Sequence, residues 1–140
     1  MAANSRFAVA VHALTILAWR SSERHNSREI AASVATNPVV IRRLLAQLQR
    51  ARLVESAHGA KGGFQLARPA ARISLYDVYR AVEDGGFFAL REQTNEKCPI
   101  GGRMKEILNG VFGRVESKVV PELRRTSLAD VVERIPGRSR

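Results

Sequence analysis

The 140-residue chain has a single cysteine, Cys98. One cysteine cannot close an internal disulfide, so the fold cannot depend on an oxidising compartment. The three histidines, His12, His25 and His58, lie far apart and show no zinc-ligand spacing. A nucleophilic enzyme built on Cys98 would need a histidine base beside it, and the sequence offers none nearby. No enzymatic activity, no metal and no cofactor are expected. Long apolar runs are missing too. The longest, "FAVAVHALTILAW", is interrupted by His12 and Thr15 and is too short to span a bilayer. No basic segment with a small-residue cleavage site precedes it. Repeats and low-complexity tracts are also absent. The chain is expected to be soluble and cytoplasmic, without a membrane partner. It has the size of one compact domain and can bury roughly two-thirds of its unfolded surface without staples.

Acidic residues are the other scarcity. Lys and Arg number 23 against 13 Asp and Glu, for a net charge of +10. Residues 1–70 hold 10 basic and 3 acidic residues, a net of +7, whereas residues 71–140 hold 13 and 10, a net of +3. A polyanion partner for the N-terminal half follows naturally. Charge alone fits a solvated surface or a ribosome-associated protein equally well.

The hydrophobic pattern gives the charge a scaffold. Phe7, Ala10, Val11, Leu14, Leu17 and Ala18 recur at helical spacing between Ser5 and Arg20. "NSREIAASVA" opens with Asn26 three residues before Glu29, the spacing of a capping box. Asn37 and Pro38 then supply an N-cap and a proline at the first helical position. In "PVVIRRLLAQLQR", Ile41, Leu44, Leu45 and Leu48 share one face. At about 100° per residue, Val39, Arg43 and Arg50 point directly away from it. Val40 and Gln47 lie on one flank, Arg42 and Gln49 on the other. Two short helices with a tight turn, the second bearing arginines outward, meet the requirements of a helix-turn-helix. "LVESA", "HGAKGG" and "FQLAR" follow directly and read as a hairpin, with Val54 and Ser56 opposite Phe64 and Leu66 on alternating faces. Such a ribbon is a wing, with His58 and Lys61 at its basic tip for phosphates or a minor groove.

The stretch "SREIAASVATNPVVIRRLLAQLQRARLVESAHGAKGGFQLAR" resembles the BadM/IscR/NsrR/CymR (Rrf-type) family of bacterial winged-helix regulators. The likeness continues through "ISLYDVYRAVE", "KCPIG" and "TSLADVVERI", and so covers nearly the whole chain. "NSRFAVAVHAL" and "TNPVVIRR" are most similar to its YwnA-like branch. The resemblance implies a homodimeric transcription factor, usually a repressor, with a recognition helix in the major groove of double-stranded DNA. It implies recognition by Thr36, Asn37, Val39, Val40, Arg42 and Arg43, and backbone or minor-groove contact by His58 and Lys61. The helical wheel agrees independently on Val39, Arg42 and Arg43. Cluster-binding relatives carry three cysteines where this chain has only Cys98, and a cluster needs about three or four protein ligands.

The fold expected is mainly α with a small β-hairpin wing, a winged helix-turn-helix plus a long C-terminal dimerisation helix. Residues 1–82 form the DNA-binding part. Residues 83–140 form a loop, the dimerisation helix and a closing helix. In that long helix Met104, Ile107, Leu108, Val111, Phe112, Val115 and Val119 make a stripe too wide for a strict coiled-coil seam. Such a helix needs a second surface to cover, and a second copy is the simplest one. The dimer contacts expected are Met104, Leu108, Val111 and Val115. Pro121 should bend or end this helix one turn early. Ile73, Leu75, Val78 and Val82 should face inward from a shorter helix before it. Cys98 before Pro99 fits an N-cap, where the helix dipole and Lys97 favour a thiolate. It is thus either a redox- or electrophile-sensing thiol or a small capping residue. The rival function is an RNA- or ribosome-associated winged-helix module, which would need no dimer.

Overall fold

Apolar residues at helical spacing build three helices from the first fifty positions of the computed structural model, which describes residues 5–137. Helix α1 (Arg6–Trp19) buries Ala10, Ala13, Leu14, Leu17 and Ala18. Helix α2 (Ser27–Val34) buries Ile30 and Ala31, and α3 (Pro38–Arg50) buries Ile41, Leu44, Leu45 and Leu48. The turn between α2 and α3 closes on Ala35, in the left-handed region at φ 62°. The N–H groups of Ala35 and Thr36 both donate to the carbonyl of Ala31, so the chain reverses within three residues. Asn26 caps α2 as its spacing implied, accepting from the Glu29 N–H. The reciprocal half differs from a capping box. The Glu29 carboxylate accepts from Asn26 Nδ2 and from His25 Nδ1, both at 3.2 Å, instead of a backbone N–H.

Strands β1 (Val54–Ala57) and β2 (Gly63–Leu66) form the expected hairpin and pair antiparallel, in a register that sets Val54 opposite Leu66 and Ser56 opposite Phe64. The wing is pinned at its base. His25 and Phe64 exchange backbone hydrogen bonds of 3.0 and 2.8 Å. Gly63 makes this approach possible. Its φ is +129°, and a Cβ there would lie 2.9 Å from the His25 carbonyl oxygen.

A short 3₁₀ turn (Ala70–Arg72) leads to α4 (Leu75–Val82), capped by a reciprocal Ser74–Asp77 box. Ile73, Val78 and Val82 are fully buried, while Leu75 is only half-buried. Tyr79 is buried as well, stacked on Phe87 at 4.4 Å and edge-on to Phe7 at 5.7 Å. The last helix, α6 (Leu128–Glu133), carries a second reciprocal box, Ser127–Asp130. Its Leu128 and Val132 are fully buried in the same core as α1 and α3. The Leu128 N–H donates to the Ile73 carbonyl. Sequence order puts α6 with residues 83–140, but its packing joins it to the N-terminal core.

Helix α5 (Gly101–Arg125) runs between α4 and α6, and here the structure corrects the sequence reading twice. Pro121 does not end the helix, which continues to Arg125. The proline removes one N–H near the C-terminal end, where few further bonds depend on it. The segment beyond is anchored from outside the helix. The Arg124 guanidinium lies 4.7 Å from the Tyr76 ring centre, and the Thr126 carbonyl accepts from the Leu75 N–H at 2.9 Å. Nor is Cys98 the residue flanking the first helical one. That place is held by Ile100, with Pro99 and Ile100 in a preceding turn.

None of the 25 residues of α5 is buried. Phe112 stacks on Phe88 at 4.8 Å, which covers one side of the helix. Ile100, Met104, Ile107 and Val111 remain exposed. No helix is long and apolar enough to cross a membrane among the described residues.

Candidate nucleic-acid interface

The first turns of α3 concentrate the outward chemistry. Val39 and Val40 are 45% and 43% exposed, unusual for valines and suited to apolar contact with thymine methyl groups. Arg42 and Arg43 are exposed, and neither has an ion-pair partner among the described residues. An uncompensated guanidinium can form bidentate bonds to guanine or phosphate. Asn37 has a prior engagement. Its Oδ1 accepts from the Val39 N–H at 2.8 Å, which leaves Nδ2 as the group to offer a ligand. Thr36 is half-buried in the turn before it. The N-terminus of α3 adds the partial positive charge of its unpaired N–H groups.

An open groove beside this face is lined by Arg6, Val40, Arg43, Gln47 and Arg50. It joins α3 to the start of α1, where Arg6 also donates to the Val82 carbonyl at 3.2 Å. Arg6 is a candidate the sequence reading missed. It stands far from α3 in the chain, and only the packing of α1 brings it near. Gln49 turns out to be a brace. Its Nε2 donates to Ser56 Oγ at 3.1 Å, fixing the end of α3 to the wing.

His58 and Lys61 are both exposed at the wing tip. The tip turn is closed by the Gly62 N–H donating to the Gly59 carbonyl at 2.9 Å, with Gly59 at φ +101°. Lys61 lines a polar recess with Arg24 and Asn26, residues that precede α2. The structure thus gives two basic regions. One gathers Val40 and Arg43 with Arg6 and Arg50, and the other gathers Lys61 with Arg24.

Cys98 is half-buried, one turn before α5. Its carbonyl accepts from the Gly102 N–H at 2.9 Å. Hydrogen bonds to the sulfur from the backbone N–H groups of Gly101 and Ile100 hold its pKa below the usual thiol value, partly offset by burial. The thiol therefore performs a cap's function from a position outside the assigned helix. These N–H groups, and not the charge of Lys97, lower its pKa.

Comparison with known proteins places these features in context. The Rrf2 family of iron-dependent transcriptional regulators matches residues 3–134. YwnA of Bacillus subtilis, named as an HTH-type transcriptional regulator, is 40% identical over 133 residues, covering 94% of this chain and 98% of its own. A crystal structure of a chain described as a DNA-binding protein is 38% identical with a TM-score of 0.72, covering 91% of this chain and 98% of that one. IscR of T. potens shares the fold at 23% identity and a TM-score of 0.72, over 95% of this chain and 87% of its own.

The iron in the family's description can be tested against the donors at hand. Among the described residues no three His, Cys, Asp or Glu side chains gather closely enough to hold a metal ion. His12 of α1 is hydrogen-bonded to Ser33 of α2, His25 before α2 to Glu29, and His58 lies on the wing. Cys98 stands alone as the sulfur ligand. This donor set does not fit an iron centre held by the chain.

Proposed function

The chain belongs to the Rrf2 family of transcriptional regulators, and from that premise we propose that it is a homodimeric repressor reading a near-palindromic operator in duplex DNA. The observation that carries this reading is the outward face of α3, with two exposed valines and two unpaired arginines beside a glycine-tipped wing. Thr36, Asn37, Val39, Val40, Arg42 and Arg43 read or approach the major groove. His58 and Lys61 hold the backbone or minor groove beside it. Residues 1–82 do this work on a core that α6 completes, and α5 brings two copies together through Met104, Leu108, Val111 and Val115. Reading chromosomal DNA places the protein in the cytoplasm.

Selection of bound duplexes from a random pool tests the reading. The expected outcome is an inverted repeat whose half-site centres lie about one helical turn, or a multiple of it, apart. Preference for RNA over every duplex would overturn it in favour of an RNA-associated module. Lys61→Ala should weaken selected and unrelated duplexes alike and lower the slope of log K against log salt by about 1. An unchanged slope would remove Lys61 from the phosphate contacts.

Cys98 supplies the signal in this proposal. Donated N–H groups raise its thiolate fraction at neutral pH, and the thiolate is the reactive form. Attack on a peroxide breaks the O–O bond, leaving a sulfenic acid on Cys98 and releasing water. The added oxygen disturbs the turn that starts α5, and with it the dimer that presents two recognition helices. DNA affinity after mild peroxide treatment should fall for the wild type and hold for Cys98→Ser. Equal affinities in treated and untreated samples of both would leave Cys98 a structural cap.

A further inference from the structure

A cavity of about 450 Å³ opens between α1 and α2 and shares no residue with the arginine groove of α3. This volume falls in the range of small-molecule sites, roughly 300–1,000 Å³. Its walls are Ile16 and Trp19 of α1 and Ile135, just beyond α6. Polar groups gather from His12, Ser33, His25 and Glu29. His12 Nε2 and Ser33 Oγ are 3.0 Å apart. The His25 side chain is only 7% exposed. Its Nδ1 lies 3.2 Å from Glu29 Oε2, and a carboxylate can only accept, so Nδ1 carries the proton. In the neutral ring Nε2 is then an acceptor, and it has no partner among the described residues.

These groups choose a ligand class. A mostly apolar wall with a few convergent polar groups suits a small ring compound. The ionisable groups at the rim already have partners. Glu29 accepts from His25 and Asn26, and Arg20 faces Glu23 at 3.8 Å. An ionised ligand would bring a charge without a counterpart. We propose that this cavity binds a small uncharged aromatic molecule carrying a hydroxyl or amino group. Its ring packs on Trp19 and Ile16, and its O–H or N–H is offered to the polar end formed by His25 and the His12–Ser33 pair.

The site touches the segments that set the DNA-binding surface. Ser33 and Glu29 lie on α2, which passes through the Ala35 turn into α3. His25 is pinned to Phe64 of the wing by the two backbone bonds described above. A ligand that favours one placement of α2 therefore changes operator affinity by its differential affinity for the two placements. This coupling rests on the proposed DNA reading; the binding itself does not.

The test uses the full chain and p-cresol as probe. Trp19 is the single tryptophan, so its fluorescence reports the cavity directly. A saturable change with one site per chain is expected, confirmed by calorimetry. Benzoate, of similar size but ionised, should bind at least roughly tenfold more weakly, about 1.4 kcal/mol. Ile16→Phe fills the cavity from α1 and Ser33→Phe fills it from the exposed side of α2. Each should weaken p-cresol by roughly tenfold or more while the circular-dichroism spectrum is kept, and the second covers a folding failure of the first. Absence of saturation, wild-type affinity in both filled variants, or a Trp19 signal that follows protein dilution alone would overturn the site. The last result would assign the cavity to a second copy. Saturating p-cresol should shift operator affinity by roughly fivefold or more. An unshifted affinity for a duplex that the protein does bind would overturn the coupling alone.

Discussion

Leu108→Glu and Val111→Glu are each expected to leave the protein monomeric and to lower its affinity for a two-half-site operator by roughly 10²–10⁴-fold. Over its 25 residues α5 buries nothing; Ile107 is 54% exposed, Met104 and Val111 are exposed with it, and Ile100 just before the helix is 69% exposed. Met104, Leu108, Val111 and Val115 fall at intervals of four, three and four, the spacing of a seam between two helices. Phe112 is already used, stacked on Phe88, and Leu108 and Val115 are half-buried beside it, so the part of the seam left open is the edge of Met104 and Val111. A symmetric contact would set each new carboxylate near its own copy, and burying either without a partner costs several kcal/mol. A monomer keeps α3 and the wing intact, since neither position belongs to the core. It loses only the second, intramolecular binding event. Sedimentation at a fixed concentration checks the first half, and titration of one and two half-sites checks the second. A variant that remains dimeric would move the interface elsewhere.

The legible parts of this molecule were those whose determinants are local. The buried face of α3 follows from Ile41, Leu44, Leu45 and Leu48 at helical spacing, and all four are buried. Asn37 and Pro38 fix its start through a cap and a missing N–H, both of which act within one turn. The hairpin follows from strand alternation and a glycine-rich turn, while its pairing of Val54 with Leu66 and Ser56 with Phe64 comes from the structure. Elsewhere distant segments override local preference. Pro121 is a helix breaker by itself, but Tyr76 and Leu75 hold the chain beyond it through Arg124 and Thr126. Arg6 joins Arg43 only because the fold sets the start of α1 beside α3. Glu29 has the spacing of a capping box yet turns to His25, whose position is set by the wing. The cavity was unreadable for the same reason, since Trp19, Ser33 and Ile135 meet only in the folded chain. Candidate contacts to DNA lie between these cases. Exposure of Val39, Arg42 and Arg43 followed from the helical wheel, whereas the prior use of Asn37 Oδ1 required the structure.

Arg43→Ala is expected to cost about 1–3 kcal/mol for each half-site and to relax the preference for one base pair there. Two groups of opposite consequence meet at this residue. Its guanidinium has no acidic partner among the described residues, so removal leaves no stranded carboxylate and folding should be unaffected. It also lines the groove shared with Arg6 and Arg50, where a phosphate could attract all three. The two roles separate by measurement. A base-reading Arg43 loses affinity for the selected operator and little for unrelated duplexes, with a nearly constant salt slope. A phosphate-binding Arg43 loses both together, and the slope falls by about 1. Arg50→Ala provides the contrast. It sits two turns further along the outward face, so the same salt-slope test should class it with the phosphate contacts. Lys at position 43 sharpens the assignment, because Arg43→Lys keeps the charge but not the planar fork. Unchanged non-specific binding without restored discrimination is the signature of a base reader, whereas a phosphate contact is rescued by lysine on every duplex. Wild-type behaviour of Arg43→Ala on the operator would take the recognition surface away from this face of α3.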